Sequence, residues 1–274
     1  IYKDVINNGI ANFTGDSTHT GKFIAKDYYG NTSEFVFKIK TKKQLLISET
    51  CTGIEFLSNY TNVKLKYDSA FSYERKYKIN IPAYSLYENE CLILYHQPRE
   101  SYKLQGKVFS RIITMGPTQT PIHNIYNVSI EYESNLADSL LSKLLIVSID
   151  DKNNFTSKGG EYKDGWVTTK VWNFGTFAIA IDTTAPKIKE PKLAKGNNIS
   201  AIKILEFKIS DNLSGIKTYR VELDGKWILF EYEPKKQSLF CKNNNDLPKG
   251  KHTLKVIVTD NKGNSSVEWF TYIK

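Results

Sequence analysis

The chain of 274 residues has little cysteine and little histidine, and both shortages exclude chemistry. Three cysteines, Cys51, Cys91 and Cys241, stand far apart with no CxxC. That rules out a disulfide-stapled scaffold and leaves two options, a Cys51–Cys91 bridge or buried free thiols. Four histidines, His19, His96, His123 and His252, form no HxH and no HExxH, so their spacing offers no zinc site. Arginine is scarce too: only Arg75, Arg99, Arg111 and Arg220 among 38 basic residues. Readers of nucleic acid use arginine for bidentate contacts, so nucleic acid is not an expected partner. No apolar run approaches the ~18 residues of a membrane-spanning helix. The longest, Leu144 to Ile149 and Phe177 to Ile181, have the length of strands. There is no G-x-S-x-G elbow, no phosphate-binding loop and no G-x-G-x-x-G, so neither a hydrolase nucleophile nor a nucleotide cofactor is indicated, and no cofactor is expected.

What is present is a β-protein pattern. Hydrophobic residues make up 40% of the chain and charged residues 24%, an ordinary folded composition, and the length suits two or three domains. Short stretches such as Phe35-Val36-Phe37-Lys38-Ile39 and Leu254-Lys255-Val256-Ile257-Val258 alternate apolar and polar, punctuated by turn residues. The 17 Tyr and 14 Phe fit strands. One helix is predicted, over Ser134 to Leu145, where Leu136, Leu140, Leu141 and Leu144 fall at helical spacing. Lysines sit singly along the strands, where they keep edges soluble. The net charge of +9 adds a weak, salt-dependent attraction to anionic polymers.

One repeat is visible. Lys22 to Phe37 and Lys255 to Phe270 both read strand, Asp-x-x-Gly-Asn-Ser/Thr-Ser, strand. The Asp carboxylate can accept turn N–H groups, and Gly takes the positive-φ position without steric cost. Each copy has the form of the last hairpin of an immunoglobulin-like sandwich. A second punctuation mark, Asp182-Thr183-Thr184-Ala185-Pro186, follows the strand Phe177 to Ile181. The expected fold class is therefore all-β, a tandem of β-sandwich domains. Residues 1–40 would be the closing strands of an incomplete immunoglobulin-like domain, 41–182 a middle sandwich, and 183–274 a C-terminal immunoglobulin-like domain. The chain opens at Ile1 inside a patterned segment, which reads as the tail of something longer.

Three turn-and-strand motifs in order carry a resemblance: Asp182-Thr183-Thr184-Ala185-Pro186, then Asp211-Asn212-Leu213-Ser214-Gly215-Ile216, then Val258-Thr259-Asp260-Asn261-Lys262-Gly263-Asn264-Ser265. Leu223-Asp224-Gly225-Lys226-Trp227-Ile228-Leu229 lies between the last two. This region resembles the C-terminal immunoglobulin-like domain of secreted Bacteroidetes zinc metallopeptidases, peptidoglycan endopeptidases of the lysostaphin type. The stretch from Ile81-Pro82 to Val128, with Gly116-Pro117 and Thr120-Pro121, is similar to the sandwich domain of ankyrins and netrin receptors. The peptidase family holds zinc with an H-x-x-x-D pair and an H-x-H pair, and neither occurs here; His96 and Glu100 have the first spacing without the second half. No catalytic or metal-binding residue carries over. The resemblance implies a non-catalytic, extracytoplasmic region that spaces or docks an upstream peptidase domain, with peptidoglycan or another envelope polymer as a further partner. The alternative is a glycan- or protein-binding surface module.

Candidate sites are few. Asp27, Gly30 and Asn31, and their repeats Asp260, Gly263 and Asn264, form oxygen-rich turns. So do Asp211 and the stretch Asp150-Asp151 with Asn153-Asn154. Calcium takes six to eight oxygens, so each loop alone reads as a capped turn rather than a calcium site. Trp166, Trp172 and Trp227 are the candidates for stacking on a ligand; Trp166 and Trp172 should face one side of their strand. Trp269, in the last strand, is expected to be buried. His96 is placed in a loop between strands and His123 in a turn.

Overall fold

The computed structural model describes residues 17–41, 54–56, 63–64, 76–82, 85–86, 90–97, 108–190, 198–200, 202–242 and 248–274. These residues are almost wholly antiparallel β-structure, as the period-two pattern predicts. The chain divides into two compact units, Ile1–Thr52 and Gly53–Lys274.

Among the described residues the first unit contains one hairpin, β1 (Ser17–Lys26) and β2 (Thr32–Thr41), with Phe23 opposite Phe35 and Gly21 opposite Phe37. Alternation sorts its residues cleanly. Phe23, Ala25, Phe35 and Phe37 share one face, where the ring of Phe37 stacks on Phe23 at 5.1 Å and on Phe35 at 6.0 Å. A Cβ on Gly21 would meet the Phe37 ring at 2.2 Å, so a larger residue would have to displace that ring. The other face carries the Lys22–Glu34 ion pair.

The second unit holds two sandwiches in series. The first comprises β3 (Ile54–Phe56), β4 (Val63–Lys64), β5 (Tyr77–Ile81), β6 (Glu90–Gln97), β7 (Ile112–Gly116), β8 (Tyr126–Glu131), β9 (Leu144–Ile149), β10 (Phe155–Gly159), β11 (Glu161–Lys163), β12 (Trp166–Val171) and β13 (Gly175–Ile181). Its sheets run β10-β9-β13-β7-β6-β3 and β11-β12-β8-β5-β4. Between them lie Ile79, Ile81, Tyr126, Val128, Ile130, Leu144, Ile146, Val167, Phe177 and Ile179. Strand β9 is buried on both faces, which explains why five of its six residues are apolar. Leu144 and Ile146 point into this core, while Leu145, Val147 and Ile149 join Ala178 and Ala180 in a smaller cluster on the other face.

That double burial also corrects the predicted helix. The helix α1 spans only Asp138–Leu141, one turn. Leu136 and Leu141 still pack on the core, but Leu144 and Leu145 are fully buried strand residues. The five apolar residues of β9 gain more from sheet burial than from two further helical turns.

The C-terminal sandwich comprises β14 (Lys187–Lys189), β15 (Ile204–Ser210), β16 (Ile216–Leu223), β17 (Lys226–Ile228), β18 (Glu231–Glu233), β19 (Ser238–Lys242), β20 (Lys251–Asp260) and β21 (Ser265–Ile273). The sheets run β14-β15-β19-β18 and β17-β16-β20-β21 around Leu205, Phe207, Ile209, Val221, Phe230, Leu239, Leu254, Val256, Val258 and Tyr272. The short stretch from Lys226 to Glu233 forms two strands in different sheets, β17 and β18. The chain crosses between the sheets at Leu229-Phe230, with Phe230 in the core at 2% exposure.

Candidate functional site at the seam between the sandwiches

The Asp-x-x-Gly-Asn turn between β20 and β21 is built as its chemistry demands. Asp260 Oδ1 accepts from Lys262 N at 2.7 Å and Asn264 N at 2.9 Å, and its Oδ2 accepts from Asn264 Nδ2 at 2.7 Å. Gly263 takes φ +73°. The β1–β2 turn repeats this: Asp27 accepts from Asn31 N at 2.9 Å and Asn31 Nδ2 at 2.7 Å, with Gly30 at φ +90°. A third copy joins β9 to β10. There Asp150 accepts from Lys152 N, Asn154 N and Asn154 Nδ2, and Asn153 takes the left-handed position at φ 62°. Asparagine is among the few side chains tolerated there. These amide donors hold the exposed carboxyls of Asp27 and Asp150 below the usual carboxylate range, the Asn side chain contributing most in each.

Only the Asp260 turn is buried, and it is buried at the seam. Asp182, which ends the first sandwich, is 1% exposed and Asp260 0%. Asp182 Oδ1 accepts from Thr184 N at 3.2 Å, its Oδ2 accepts from Ser214 N at 2.9 Å, and its carbonyl accepts from Asn264 Nδ2 at 2.9 Å. Asp211 Oδ2 accepts from Leu213 N at 3.0 Å and Gly215 N at 2.8 Å. Asn261 Nδ2 donates to Ser214 O at 2.7 Å, tying the two loops together. Two lysines then cross the seam in opposite directions. Lys143 Nζ donates to Lys262 O at 2.7 Å, and Lys262 Nζ donates to Gly160 O at 2.6 Å. Leu213 packs on the smaller cluster of β9 and β13. Burial pushes the Lys262 ammonium below the usual lysine range, against the pull of Glu161, Asp182 and Asp260.

Asp182, Asp211 and Asp260 each place a carboxylate oxygen within 4.8 Å of the others. Three convergent carboxylates are the donor type of a hard, oxygen-ligated cation, calcium above all. As built, five of the six oxygens already accept turn amides; Asp211 Oδ1 is buried without a partner. The trio is thus first a set of turn caps that meet at one end of the C-terminal sandwich. Beside it a groove of about 760 Å³ is lined by Gly159, Gly160, Tyr162, Lys217, Asn261 and Lys262.

A Zu5-like domain model matches residues 62–182. The match covers the first sandwich from β4 onward and ends on Asp182 at the seam. A curated relative, the uncharacterized protein YvnB of Bacillus subtilis (strain 168), is 28% identical over 141 residues, which is 52% of this chain. Those residues span 10% of that relative's length.

The stacking candidates are spread over the molecule. Trp166, on β12, is half-buried with Lys78 Nζ 3.8 Å from its ring centroid. Trp172 lies just beyond β12 and is 66% exposed. The two sit six residues apart along an extended chain, roughly 20 Å, and with Lys78 over the half-buried Trp166 ring they do not form one open platform. Trp227, on β17, is 59% exposed. Trp269 overturns its expected burial: it is 62% exposed, because Phe270 and Tyr272 supply the inward face of β21 and Trp269 alternates outward. Packing in the core, the ordinary role of tryptophan, therefore applies to none of Trp172, Trp227 and Trp269.

The histidines stay dispersed. His96 lies in β6 opposite Ile113, not in a loop, and Glu100 lies outside the described residues. His123 sits in a bend, where its N–H donates to Ser85 O at 2.7 Å. His252 Nδ1 is 2.7 Å from Asp224 Oδ2. The Cys51–Cys91 bridge lies outside the described residues at Cys51, while Cys241 is a half-buried free thiol whose pKa burial pushes up. Sequence reasoning found each Asp turn but not their meeting. Residues 182, 211 and 260 share no local spacing, and only the sandwich topology brings their three loops to one end.

Proposed function

We propose that this region is a non-catalytic, extracytoplasmic spacer in which a Zu5-like sandwich and an immunoglobulin-like sandwich act as one stiff body. On the peptidase resemblance, the body positions or docks an upstream cell-wall metallopeptidase domain at the envelope. The observation that carries this reading is Asp182. A linker residue bonded on one side to the Ser214 amide and on the other to the Asn264 side chain leaves little freedom between the sandwiches. An exposed charged linker would do the opposite.

Backbone ¹⁵N relaxation of the full chain tests stiffness. One rotational correlation time for both sandwiches is expected, and two different times would overturn the reading. The paired variant Lys143→Met and Lys262→Met should separate the times if the crossed lysines hold the seam. Docking is tested by co-sedimentation with purified peptidoglycan at low and high salt. Retention at both salts supports docking; loss at high salt assigns retention to the lysine charge.

A second reading, a glycan-binding module, is favoured by the exposed tryptophans of the C-terminal sheet.

A further inference from the structure

The outer face of the sheet β17-β16-β20-β21 carries a row that crosses all four strands. Trp227 lies opposite Glu222, Glu222 opposite Lys255, and Lys255 opposite Trp269. Residues directly opposite in an antiparallel ladder point to the same face, so the four side chains stand in one line. Strands lie about 4.8 Å apart, which puts the two tryptophan Cα atoms roughly 14 Å from each other. The opposite face of these strands holds Val221, Leu254, Val256, Val258 and Tyr272 in the core, so neither indole is needed for folding.

Between the indoles the row is ionic. Arg220 Nε lies 2.6 Å from Glu222 Oε1, Lys255 Nζ lies 3.8 Å from Glu222 Oε2, and Lys255 Nζ sits 5.0 Å from the centroid of the Trp269 ring. Thr218, Thr253 and Thr271 add hydroxyls on the same face.

We infer that this row is a binding surface for an extended β-linked polysaccharide, with Trp227 and Trp269 stacking on separate sugar rings and Arg220, Glu222 and Lys255 bonding the hydroxyls between. The inference deepens the glycan-binding reading and depends on it, not on the stiffness of the seam. The chemistry of the row selects this occupant. Lysine and glutamate are depleted at protein interfaces, and a protein seated here would strip water from Glu222 and Lys255, which lie between the two anchors. A sugar chain presents flat C–H faces to the indoles and replaces that water with its own hydroxyls. The distance between the indoles suits a ligand several rings long, not a monosaccharide.

The test uses the full chain and three probes: cellohexaose and chitohexaose, followed by tryptophan fluorescence, and insoluble peptidoglycan, followed by co-sedimentation. Binding to at least one probe is expected, and it should survive 0.5 M salt, because stacking is not ionic. An aromatic stacking contact of up to about 1.5 kcal/mol corresponds to roughly tenfold in affinity. Trp227→Ala and Trp269→Ala should each weaken binding by that factor, and Trp227→Phe should lose less than Trp227→Ala. Trp172→Ala, an exposed tryptophan of the other sandwich, should change nothing. All are surface substitutions, and an unchanged melting temperature confirms that each variant folds. Failure to bind any probe, binding that both alanine variants retain, or binding abolished by salt would overturn the inference. None of these outcomes bears on the relaxation experiment, so the two readings fail separately.

Discussion

The hairpins β1–β2 and β20–β21 are two versions of one piece of sequence. The match runs beyond the turn: His19 and His252, Thr20 and Thr253, Lys22 and Lys255, Ile24 and Ile257, Ser33 and Ser266, and Phe37 and Phe270 occupy equivalent places. Both fold to the same capped turn with the same register. Their burial is opposite. Val256 and Val258 are 0% exposed, whereas Phe23, the equivalent of Val256, is 66% exposed. The turn is a local product of Asp, Gly and Asn. Burial is not local; it comes from the strands stacked against the hairpin. A two-stranded ribbon alone is marginal in water. In the first hairpin Phe23 and Phe35 stay exposed, at 66% and 64%, on the face that Phe37 shares.

The sharpest way to break the comparison is to remove the cap from each copy. Asp260→Ala removes the acceptor of three hydrogen bonds from part-buried donors and loosens the loop that meets Asp182, so it should cost the C-terminal sandwich about 3 kcal/mol in denaturant unfolding. Asp27→Ala should leave the same transition in place. Equal effects would mean that the turn's worth is local after all. A smaller difference comes from the left-handed position. Gly263→Ala should destabilise by about 1–2 kcal/mol, since φ +73° brings an L side chain against its own carbonyl. In the third copy the substitution runs the other way: Asn153→Gly should be neutral or stabilising by less than about 1 kcal/mol. Melting curves of the two variants should therefore move in opposite directions or leave Asn153→Gly still.

Much of this fold was legible in the sequence because strands and tight turns are written in short windows. The strand through Leu254 to Val258, the boundary at Asp182 and the capped turns all follow from residues within ten positions of one another. What was hidden depends on partners far along the chain. Leu144 reads as the last turn of a helix until β13 and β7 complete the sheet that draws it into β9. Trp269 reads as core because aromatic strands usually are, yet its parity relative to Phe270 and Tyr272 already set it outward. The Asp182–Asp211–Asp260 meeting had no signal at all in spacing. The exposed row of Trp227, Glu222, Lys255 and Trp269 needs the register of three ladders at once.

The equivalence of His19 and His252 sharpens the comparison most finely. In the C-terminal sandwich, His252 is 7% exposed and lies between Asp224 Oδ2 and the Pro248 carbonyl, 2.9 Å from its Nε2. In the first hairpin, Ser17 Oγ lies 2.7 Å from His19 Nε2. The Asp224 carboxylate, ahead of the Pro248 carbonyl, raises the His252 pKa; burial and the nearby Lys274 charge oppose it. A raised folded-state pKa gives stability that is complete below the unfolded value of about 6.5 and fades as pH climbs through the folded value. Asp224 contributes with the opposite sign: its pKa is lowered, chiefly by His252 and then by Thr253 N, so its share fades only as pH falls into the carboxylate range. The C-terminal sandwich should therefore lose stability as pH rises above about 6.5, and His252→Gln should flatten that slope and shrink the acid limb to the share that Asp224 keeps through its bond from Thr253 N. A slope that persists in the variant would place the titrating group elsewhere and reduce the His252–Asp224 pair to a neutral hydrogen bond.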